Sequence, residues 1–457
     1  MYSEFISSKA RSISCRGIDR LHGDYSMKQH QDALSKWALR RGRAALFADT
    51  GLGKTRMQLA WADSVHKSTG ADVLILAPLA VAAQTVSEGL SIGVIVNHAT
   101  CSDDVQPGIN ITNYDKLHKF DASAFNGVVL DESSIIKHHG AKTLATLLAA
   151  FKNTEFKLAA TATPAPNDWT ELGNHAEFLG VCTRAEMLAE FFVHDGGDTQ
   201  SWRLKGHARK VFWQWVASWG AMVRSPEDLG FDGSEYKLPP LHVHQHTVET
   251  EHNPDHGLFA MEAQTLMERR GARRESMSAR VKACADVCNS TNQPVVVWCD
   301  LNAEGDALTS AIDGAAQISG SDDERVKEQR LIDFAQGKIR ALVSKPSICG
   351  FGLNWQHCNT MAFVGVTDSF ESYYQAVRRC WRFGQKRPVD VHVFSSNQEG
   401  AVVANLKRKE ADAKAMGDAM ALETIEAVRS SILGRVKDAN IYAPNSKIII
   451  PDFLKAA

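Results

Sequence analysis

The segment AALFADTGLGKT, residues 44–55, decides the fold class of this chain. It consists of a short apolar run, a loop that contains two glycines, and the start of the amphipathic stretch TRMQLAWADSVHK. A strand, a tight loop and a helix in this order are typical of the phosphate-binding end of a parallel α/β sheet. The segment therefore predicts an α/β fold with parallel strands.

The loop itself is similar to the phosphate-binding consensus GxxxxGK[ST], with Ala48 at the first glycine position. Gly51 and Gly53 allow the backbone to curl so that its N–H groups face phosphate oxygens. We expect Lys54 to reach the β- and γ-phosphates and Thr55 to supply a hydroxyl to Mg²⁺. The alternative is a glycine-rich turn that happens to precede a lysine, and the order of strand, loop and helix favours ATP binding over it. The predicted ATP-binding residues of this loop are Thr50, Gly51, Leu52, Gly53, Lys54 and Thr55.

An acidic pair follows a second apolar run, GVVLD, at residues 127–131. Asp131 and Glu132 stand at the end of this predicted strand, where the loops of a parallel sheet face the phosphates. We expect Asp131 to hold Mg²⁺, and Glu132 to orient the attacking water and accept its proton. Such a pair is a weak signal alone, but here it follows the P-loop by about 75 residues, as in this class of ATPase.

The apolar runs form two groups, one on each side of the connector KLPPL at residues 237–241. Two prolines forbid a continuing helix at the connector. Apolar runs that alternate with helical stretches predict two α/β halves, each with a parallel sheet. The predicted strands are 44–48, 73–77, 127–131 and 156–162 in the first half, and 294–300, 339–345, 360–366 and 389–395 in the second.

These patterns divide the chain into four parts. We expect a flexible lead-in at 1–24, a first lobe at 25–236, a second lobe at 237–400 and a helical tail at 401–457. The first lobe would include a tryptophan-rich helical segment at 190–236, beyond the point near residue 180 where the strand rhythm stops.

Composition excludes several classes of protein. No apolar run reaches the roughly 18 residues that a membrane span requires, and the N-terminal stretch lacks the apolar core of a secretory signal. Nine scattered cysteines without a CxxC pair predict free thiols in a reducing cytoplasm. A formal net charge of -2 gives no sign of a nucleic-acid partner, although a local stripe of basic residues would be enough to hold a nucleic-acid backbone.

Further segments stand in the order of helicase motifs: MKQHQ (27–31), LAPLAVAAQT (76–85), ITNYDKL (111–117), ATATPAPN (160–167), ISGSDDERVKEQRLIDF (318–334), SKPSICGFGLNWQ (344–356) and QAVRRCWRFGQKRPV (375–389). With the P-loop and DESSIIKH (131–138), they resemble superfamily 2 helicases and, within them, the Snf-type branch of DNA translocases. This compact chain looks most like the bacteriophage members of that branch, which implies the cytoplasm of a bacterium or of a phage-infected host. The ending Arg-x-Gly-Gln-x-x-Pro-Val of the last segment is the most specific part of the resemblance.

The resemblance implies two RecA-like lobes in tandem, with an ATP cleft between them and a helical C-terminal tail. It implies that Gln31 contacts adenine and that Gln375 belongs to the nucleotide site. Arg379 and Arg382 would act from the second lobe as arginine fingers on the γ-phosphate; the alternative is a solvated basic face. The resemblance also implies DNA contacts with little sequence preference, and the residues expected to make them are Pro78, Gln84, Thr112, Asn113, Tyr114, Ser344 and Asn354.

The chain departs from the family pattern at two places. Ser133 and Ser134 replace the usual Ala-His after the acidic pair, which leaves open how the Mg²⁺ site communicates with the segment 160–167. Arg378 occupies a position that is normally glycine.

Three other features have competing interpretations. His242, His244 and His246 alternate and would share one face of a strand; a metal site is conceivable, but a partly exposed strand is favoured. The basic and aromatic residues of 202–210 could contact DNA, whereas the stripe formed by Phe212, Trp215, Val216, Trp219 and Val223 is typical of a core. The tail fits either a helical brace against the lobes or an arm that binds a protein partner.

The favoured function is an ATP-dependent translocase that moves along DNA, with duplex DNA as the expected substrate, ATP and Mg²⁺ as cofactors and no membrane association. One alternative is a strand-separating helicase of replication or recombination. A non-enzyme alternative is a scaffold that binds ATP together with a nucleic acid or a protein.

Overall fold

The computed structural model describes residues 17–78, 81–137, 142–166, 168–195, 198–249, 275–349, 354–365, 369–396 and 400–432. Outside these ranges lie 1–16 of the predicted lead-in, Asn167 and 350–353 of the helicase-like segments, and 433–457 of the predicted tail. Within the described ranges, no helix has the length and apolar character needed to cross a membrane.

The first sheet has the strand order β3-β4-β2-β5-β6-β1-β9, and every pairing in it is parallel. Its strands are β1 (Arg43–Ala48), β2 (Asp72–Ala77), β3 (Val96–His98), β4 (Ile109–Asn113), β5 (Phe125–Asp131), β6 (Phe156–Ala160) and β9 (Gly220–Val223). The four strands predicted for this half are confirmed. The expectation that the strand rhythm ends near residue 180 was wrong, because β9 adds to the sheet beside β1.

Helices cover both faces of the first sheet, and an antiparallel hairpin of β7 (Phe192–Asp195) and β8 (Asp198–Leu204) extends from it. The helices are α1 (Gln29–Arg41), α2 (Lys54–Thr69), α3 (Ala82–Ser91), α4 (Lys142–Ala150), α5 (Leu172–Leu179), α6 (Arg184–Phe191) and α7 (Arg209–Trp219). One face buries Trp37 and Trp61, and the other buries Phe47, Phe178 and Trp213. The predicted stripe on α7 is a core stripe: Phe212, Val216, Trp219 and Val223 are buried, and Trp215 packs beside them.

The second sheet has the order β10-β15-β14-β11-β13-β12 and is also parallel throughout. Its strands are β10 (Leu241–Val248), β11 (Val295–Trp298), β12 (Ala315–Ile318), β13 (Ala341–Ser344), β14 (Thr360–Phe363) and β15 (Val389–Ser396). Its helices are α8 (Met277–Asn289), α9 (Asn302–Ala311), α10 (Glu324–Ala335), α11 (Pro346–Cys349) and α12 (Phe370–Val377). The fold is therefore the predicted pair of parallel α/β lobes.

The last described helix, α13 (Gly400–Ile432), packs back on the first lobe. Val428 is buried in the core that contains Trp37, and the Trp37 indole donates a hydrogen bond to Ser431 at 3.1 Å. Arg209 on α7 forms an ion pair with Glu423 at 2.9 Å. This helix is a brace, as one of the two interpretations of the tail predicted.

The described part of the predicted lead-in also packs on the first lobe. The Ile18 amide donates to the Leu39 carbonyl at 3.0 Å, and the His22 amide donates to Ser64 at 3.1 Å. Ile18 and Leu21 pack against the core beneath α1 and α2. Residues 17–24 are therefore held by specific contacts, unlike the flexible segment expected there.

Candidate nucleotide site and nucleic-acid cleft

The phosphate-binding loop connects β1 to α2. Gly51 and Gly53 adopt φ angles of 94° and 83°, a region that a side chain would strain. A Cβ at Gly51 would lie 2.8 Å from the Phe383 Cβ, and one at Gly53 would lie 2.1 Å from the Gln31 Nε2. Both positions therefore favour glycine, because the φ angles are positive and because Phe383 and Gln31 leave no room for a Cβ.

Gln31 and His30 of α1 hold this loop from the side of the first lobe. The Gln31 side-chain amide donates to the Leu52 carbonyl at 3.1 Å, and its oxygen accepts from the Lys28 amide at 3.0 Å. The His30 Nε2 lies 3.2 Å from the same Leu52 carbonyl. Gln31 is thus placed beside the loop, and its contact with adenine stays a prediction.

Lys54 lies at the start of α2, and its ammonium donates to the Ala48 and Asp49 carbonyls at 2.8 and 3.3 Å. Removal from water lowers the pKa of Lys54, while the nearby carboxylates of Glu132, Asp49 and Asp131 oppose this shift. The sequence-predicted lysine and acidic pair are therefore brought together. Thr50, Gly51, Leu52, Gly53 and Thr55 form the loop and the first turn of α2 around this lysine.

Asp131 is the last residue of β5 and is anchored by two groups. The Gln58 side chain on α2 donates to its carboxylate at 2.7 Å, and the Tyr114 hydroxyl donates to its backbone carbonyl at 2.7 Å. Desolvation raises the pKa of Asp131 to about 6, and the hydrogen bond from Gln58 opposes the shift. Sequence reasoning missed Gln58, although it lies one helical turn after Lys54.

Glu132 has a φ of 55°, in the left-handed region that non-glycine residues seldom adopt. Its carboxylate accepts hydrogen bonds from the Thr161 hydroxyl at 2.5 Å and the Ser134 hydroxyl at 3.1 Å. The Thr163 amide in turn donates to the Thr161 hydroxyl at 3.1 Å. Strained residues of this kind concentrate at functional sites.

These hydrogen bonds answer the question raised by the two serines that replace Ala-His. Glu132 is linked directly to the segment 160–167 through Thr161, without a histidine as intermediary. Ser133 points elsewhere and lies 3.0 Å from the Nε2 of the buried His175. Asn167, at the end of that segment, lies outside the described residues.

The second lobe contributes two cations to the same site. Burial lowers the pKa of Arg379 to about 10, and the carboxylates of Glu132 and Asp131 oppose this effect. Burial also lowers the pKa of Arg382 to about 9, reinforced by repulsion from Arg379, and Arg382 repels Lys54. Arg379 is buried and Arg382 is half-buried, and both closely follow Arg378, whose guanidinium contacts Asp49 of the P-loop. Their placement agrees with a role across the cleft and not with a solvated basic face.

A further contact between the lobes was not predicted. The Tyr374 hydroxyl on α12 donates to the Asp49 carboxylate at 2.9 Å, and the Arg378 guanidinium donates to it at 3.1 Å. Burial raises the pKa of Tyr374. The arginine at the position that is normally glycine therefore holds the P-loop aspartate from the opposite lobe. In the sequence, only the unusual arginine at position 378 indicated this contact between the lobes, and it did not indicate that Asp49 is the partner.

The nucleotide site fits a polyphosphate with Mg²⁺. Lys54, Arg379 and Arg382 gather positive charge at one place, while Asp131 and Thr55 offer the hard oxygen atoms that Mg²⁺ prefers. The buried Gln375 side-chain oxygen has no hydrogen-bond partner among the described residues, which suits a polar ligand. The chemistry of the donors therefore matches ATP and Mg²⁺.

A second cleft opens between the lobes, with a volume of about 530 Å³. Pro78, Asn113 and Tyr114 line it from the first lobe, and Lys327 and Ser347 line it from the second. Two ion pairs connect the lobes near it. Lys137 pairs with Glu371, and the Lys116 ammonium lies 3.0 Å from a carboxylate oxygen of Glu324. Three of the residues predicted to contact nucleic acid are thus brought to one surface.

The other predicted contact residues are placed differently. Gln84 is half-buried on α3, and Asn354 is half-buried at the end of its segment. Thr112 and Ser344 are buried, and the Ser344 hydroxyl donates to the Ile318 carbonyl at 2.8 Å. Contacts of these four side chains with nucleic acid stay predictions.

The basic segment 202–210 is largely engaged within the first lobe. The Lys205 ammonium donates to the Ala189 and Glu190 carbonyls at 2.9 and 2.8 Å, which caps the end of α6. The Trp202 ring lies 3.7 Å from the His194 ring across the β7–β8 hairpin. The side chains of His207 and Lys210 remain exposed.

Residues 279–384 match the family model described as the helicase conserved C-terminal domain. This match lies within the second lobe. The match extends from α8 to the loop after Arg382, so it contains both arginines and Gln375. It confirms the resemblance to superfamily 2 helicases that the motifs indicated.

No curated protein matches this chain in sequence. Among solved structures, it is similar to the SWI2/SNF2 ATPase core of Sulfolobus solfataricus in complex with dsDNA, at 16% sequence identity and a TM-score of 0.41. That similarity covers 91% of this chain and 98% of the other.

Proposed function

We propose that this protein is an ATP-dependent DNA translocase of the Snf type, which couples ATP hydrolysis to movement along DNA. The observation that carries the proposal is the contact of the second lobe with the P-loop: Tyr374 and Arg378, which closely precede Arg379 and Arg382 in the chain, donate hydrogen bonds to the Asp49 carboxylate. One ATP site built from two lobes allows hydrolysis to change the distance between them.

The roles of the residues in hydrolysis follow from their chemistry. Lys54 and the two arginines would neutralise the charge of the transferred phosphoryl group. Glu132, fixed by Thr161, would orient the attacking water and take its proton. Mg²⁺, when bound near Asp131 and Thr55, supplies charge neutralisation at the phosphate oxygens.

Movement along DNA would use the second cleft. Tyr114 lines that cleft and also donates to the Asp131 carbonyl, so one side chain connects it to the catalytic strand. We propose that contacts there go to the sugar-phosphate backbone and have little sequence preference. Lys116 and Lys137 are paired with carboxylates of the second lobe. DNA phosphates could replace these carboxylates as partners of the two lysines.

The test is the ATPase rate measured in parallel with duplex DNA, single-stranded DNA and RNA, at equal nucleotide concentrations. We expect the strongest stimulation by duplex DNA of arbitrary sequence, and a loss of stimulation as salt rises. No stimulation by any DNA would contradict the proposal and would favour the ATP-gated scaffold. A fork-displacement assay separates the remaining alternative, because a translocase leaves the duplex paired whereas a helicase separates its strands.

Two further parts of the proposal concern setting and partners. We propose that the protein works in a reducing cytoplasm, where the eight cysteines of the described residues, all free, would stay thiols. The described part of the tail, α13, packs on the first lobe as a brace. A protein partner bound by the tail is therefore proposed only for residues 433–457, which lie outside the described ranges.

A further inference from the structure

The exposed edge of the second sheet carries a row of imidazole groups. His242, His244 and His246 alternate along β10, so their side chains share one face of the strand. β10 pairs in parallel with β15, and the register sets His242 beside Asp390 and His244 beside His392. Two adjacent strands thus present five side chains of metal-binding type on one face, of which the sequence alone indicated three.

The distances within this row are those of a compact cluster. The His244 Nε2 lies 2.8 Å from a carboxylate oxygen of Asp390, and the His242 Nδ1 lies 3.4 Å from the same oxygen. The three ligand atoms all lie within 4.8 Å of one another. The side chains of His242 and His244 are 52% and 45% exposed, so an ion from solvent can reach them.

The chemistry of the cluster selects a class of ion. Imidazole nitrogen and carboxylate oxygen bind Zn²⁺ at about 2.0–2.2 Å, so two ligands of a tetrahedral ion lie about 3.3–3.5 Å apart. The separation of the His242 and Asp390 atoms already has this value. Three protein ligands with one position left to water is a common arrangement for this ion. We infer that His242, His244 and Asp390 form a binding site for a divalent transition-metal ion of the zinc class.

The neighbouring aromatic groups fix the orientation of the ligands. The His392 ring stacks on His244 with a centroid distance of 4.8 Å and an interplanar angle of 18°. His392 is itself held by the His246 Nε2, which lies 2.9 Å from its Nδ1, and His246 stacks on the buried Phe394. His392 is therefore a positioning residue that limits the rotation of His244.

The location indicates what a bound ion would do. β10 directly follows the connector at 237–241 and, among the described residues, is the edge strand of its sheet. An ion held by both strands would join β10 to β15 and stabilise the start of the second lobe. This site is separate from the proposed ATPase chemistry, and its test needs no measurement of activity.

The experiment is a titration of the full chain, produced without a polyhistidine tag, with Zn²⁺ by calorimetry and with Co²⁺ by visible absorption. We expect one ion per chain, a tetrahedral Co²⁺ spectrum, and a higher melting temperature with Zn²⁺. The double variant His242→Asn, His244→Asn should lose the binding, the spectrum and the thermal shift. His392→Ala, which removes the ring stacked on His244, should weaken binding by about 10–100-fold.

The matched control is Gln245→Asn, because Gln245 is exposed on the same strand and its side chain points to the opposite face. It should bind both ions like the parental chain, and circular dichroism should show that all variants are folded. Absence of Zn²⁺ binding by the parental chain would overturn the inference. Undiminished binding by the folded double variant would also overturn it, since the ion would then be held elsewhere.

Discussion

At the scale of single residues, Glu132 is the proposed general base of the nucleotide site. Its strained backbone and its hydrogen bond from Thr161 hold one carboxylate directly after β5. Glu132→Gln should lower kcat by about 10²–10⁴-fold, because an amide cannot take the proton of the attacking water. Nucleotide affinity should remain, since the cations that hold the phosphates are intact.

The measurement is single-turnover hydrolysis together with nucleotide binding for the same protein. Thr161→Ser is a suitable control, because it keeps the hydroxyl that donates to Glu132. A near-normal kcat in Glu132→Gln would remove this residue from the mechanism.

A second prediction at the residue scale concerns His175 and the pH dependence of the free energy of unfolding. It is fully buried beside Ser133, and burial lowers its pKa to about 4 from the ordinary value of 6.5. As the pH falls from 6.5 towards 4, the unfolded chain takes up a proton that the native protein does not. The free energy of unfolding therefore decreases on acidification from pH 6.5 towards pH 4. Only above pH 6.5, where His175 is neutral in both states, does the protein keep its full stability.

The matched variant is His175→Gln, which offers Ser133 a polar partner but does not titrate. Between neutral pH and about pH 4, the parental protein should lose about 3 kcal/mol of stability relative to the variant. Chemical unfolding followed by tryptophan fluorescence at several pH values measures the difference. A difference that does not change with pH would show that His175 does not carry this proton linkage.

At the scale of elements, α13 links the end of the described chain to the first lobe. Met420 is 2% exposed in the core beside α7, whereas Leu422 on the same helix is 75% exposed. Met420→Ala should lower the free energy of unfolding of the first lobe by about 2–5 kcal/mol. Leu422→Ala should change it by no more than about 0.5 kcal/mol. Equal effects in a denaturant titration would mean that α13 does not pack as a brace.

The elements also show which parts of the fold the sequence can predict. The strands that begin at Arg43, Asp72 and Val295 are apolar runs bounded by polar or small residues, and all were predicted close to their observed ends. β9 was missed because Gly220–Val223 follows the tryptophan-rich α7 without a turn signal. Its strand conformation depends on pairing with β1, a contact distant in sequence.

The same distinction applies to the residues of the site. Lys54, Asp131 and Glu132 were predicted because each stands at a local junction of strand and loop. The contact of Asp49 with Tyr374 and Arg378 joins residues more than 300 positions apart. No local pattern encodes such a pairing, since it exists only once both lobes have folded.

At the scale of the whole molecule, one ATP site is shared by two lobes. Arg382 lies in the part of the second lobe that matches the helicase C-terminal family model, and Arg378 of the same segment contacts Asp49 of the P-loop. Removing Arg382 should leave the phosphate contacts of the first lobe intact, so nucleotide affinity should fall only modestly. Hydrolysis should fall much further, because an arginine finger acts mainly on charge that develops in the transition state.

The most direct measurement is therefore the DNA-stimulated kcat of Arg382→Ala, made with nucleotide affinity on the same preparation. Lys282→Ala, a change at an exposed lysine on α8 of the same lobe, is the control and should behave like the parental protein. We predict a fall in kcat of about 10³-fold or more for Arg382→Ala. Hydrolysis by this variant at the parental rate would contradict a shared site and, with it, the role of the second lobe in the motor.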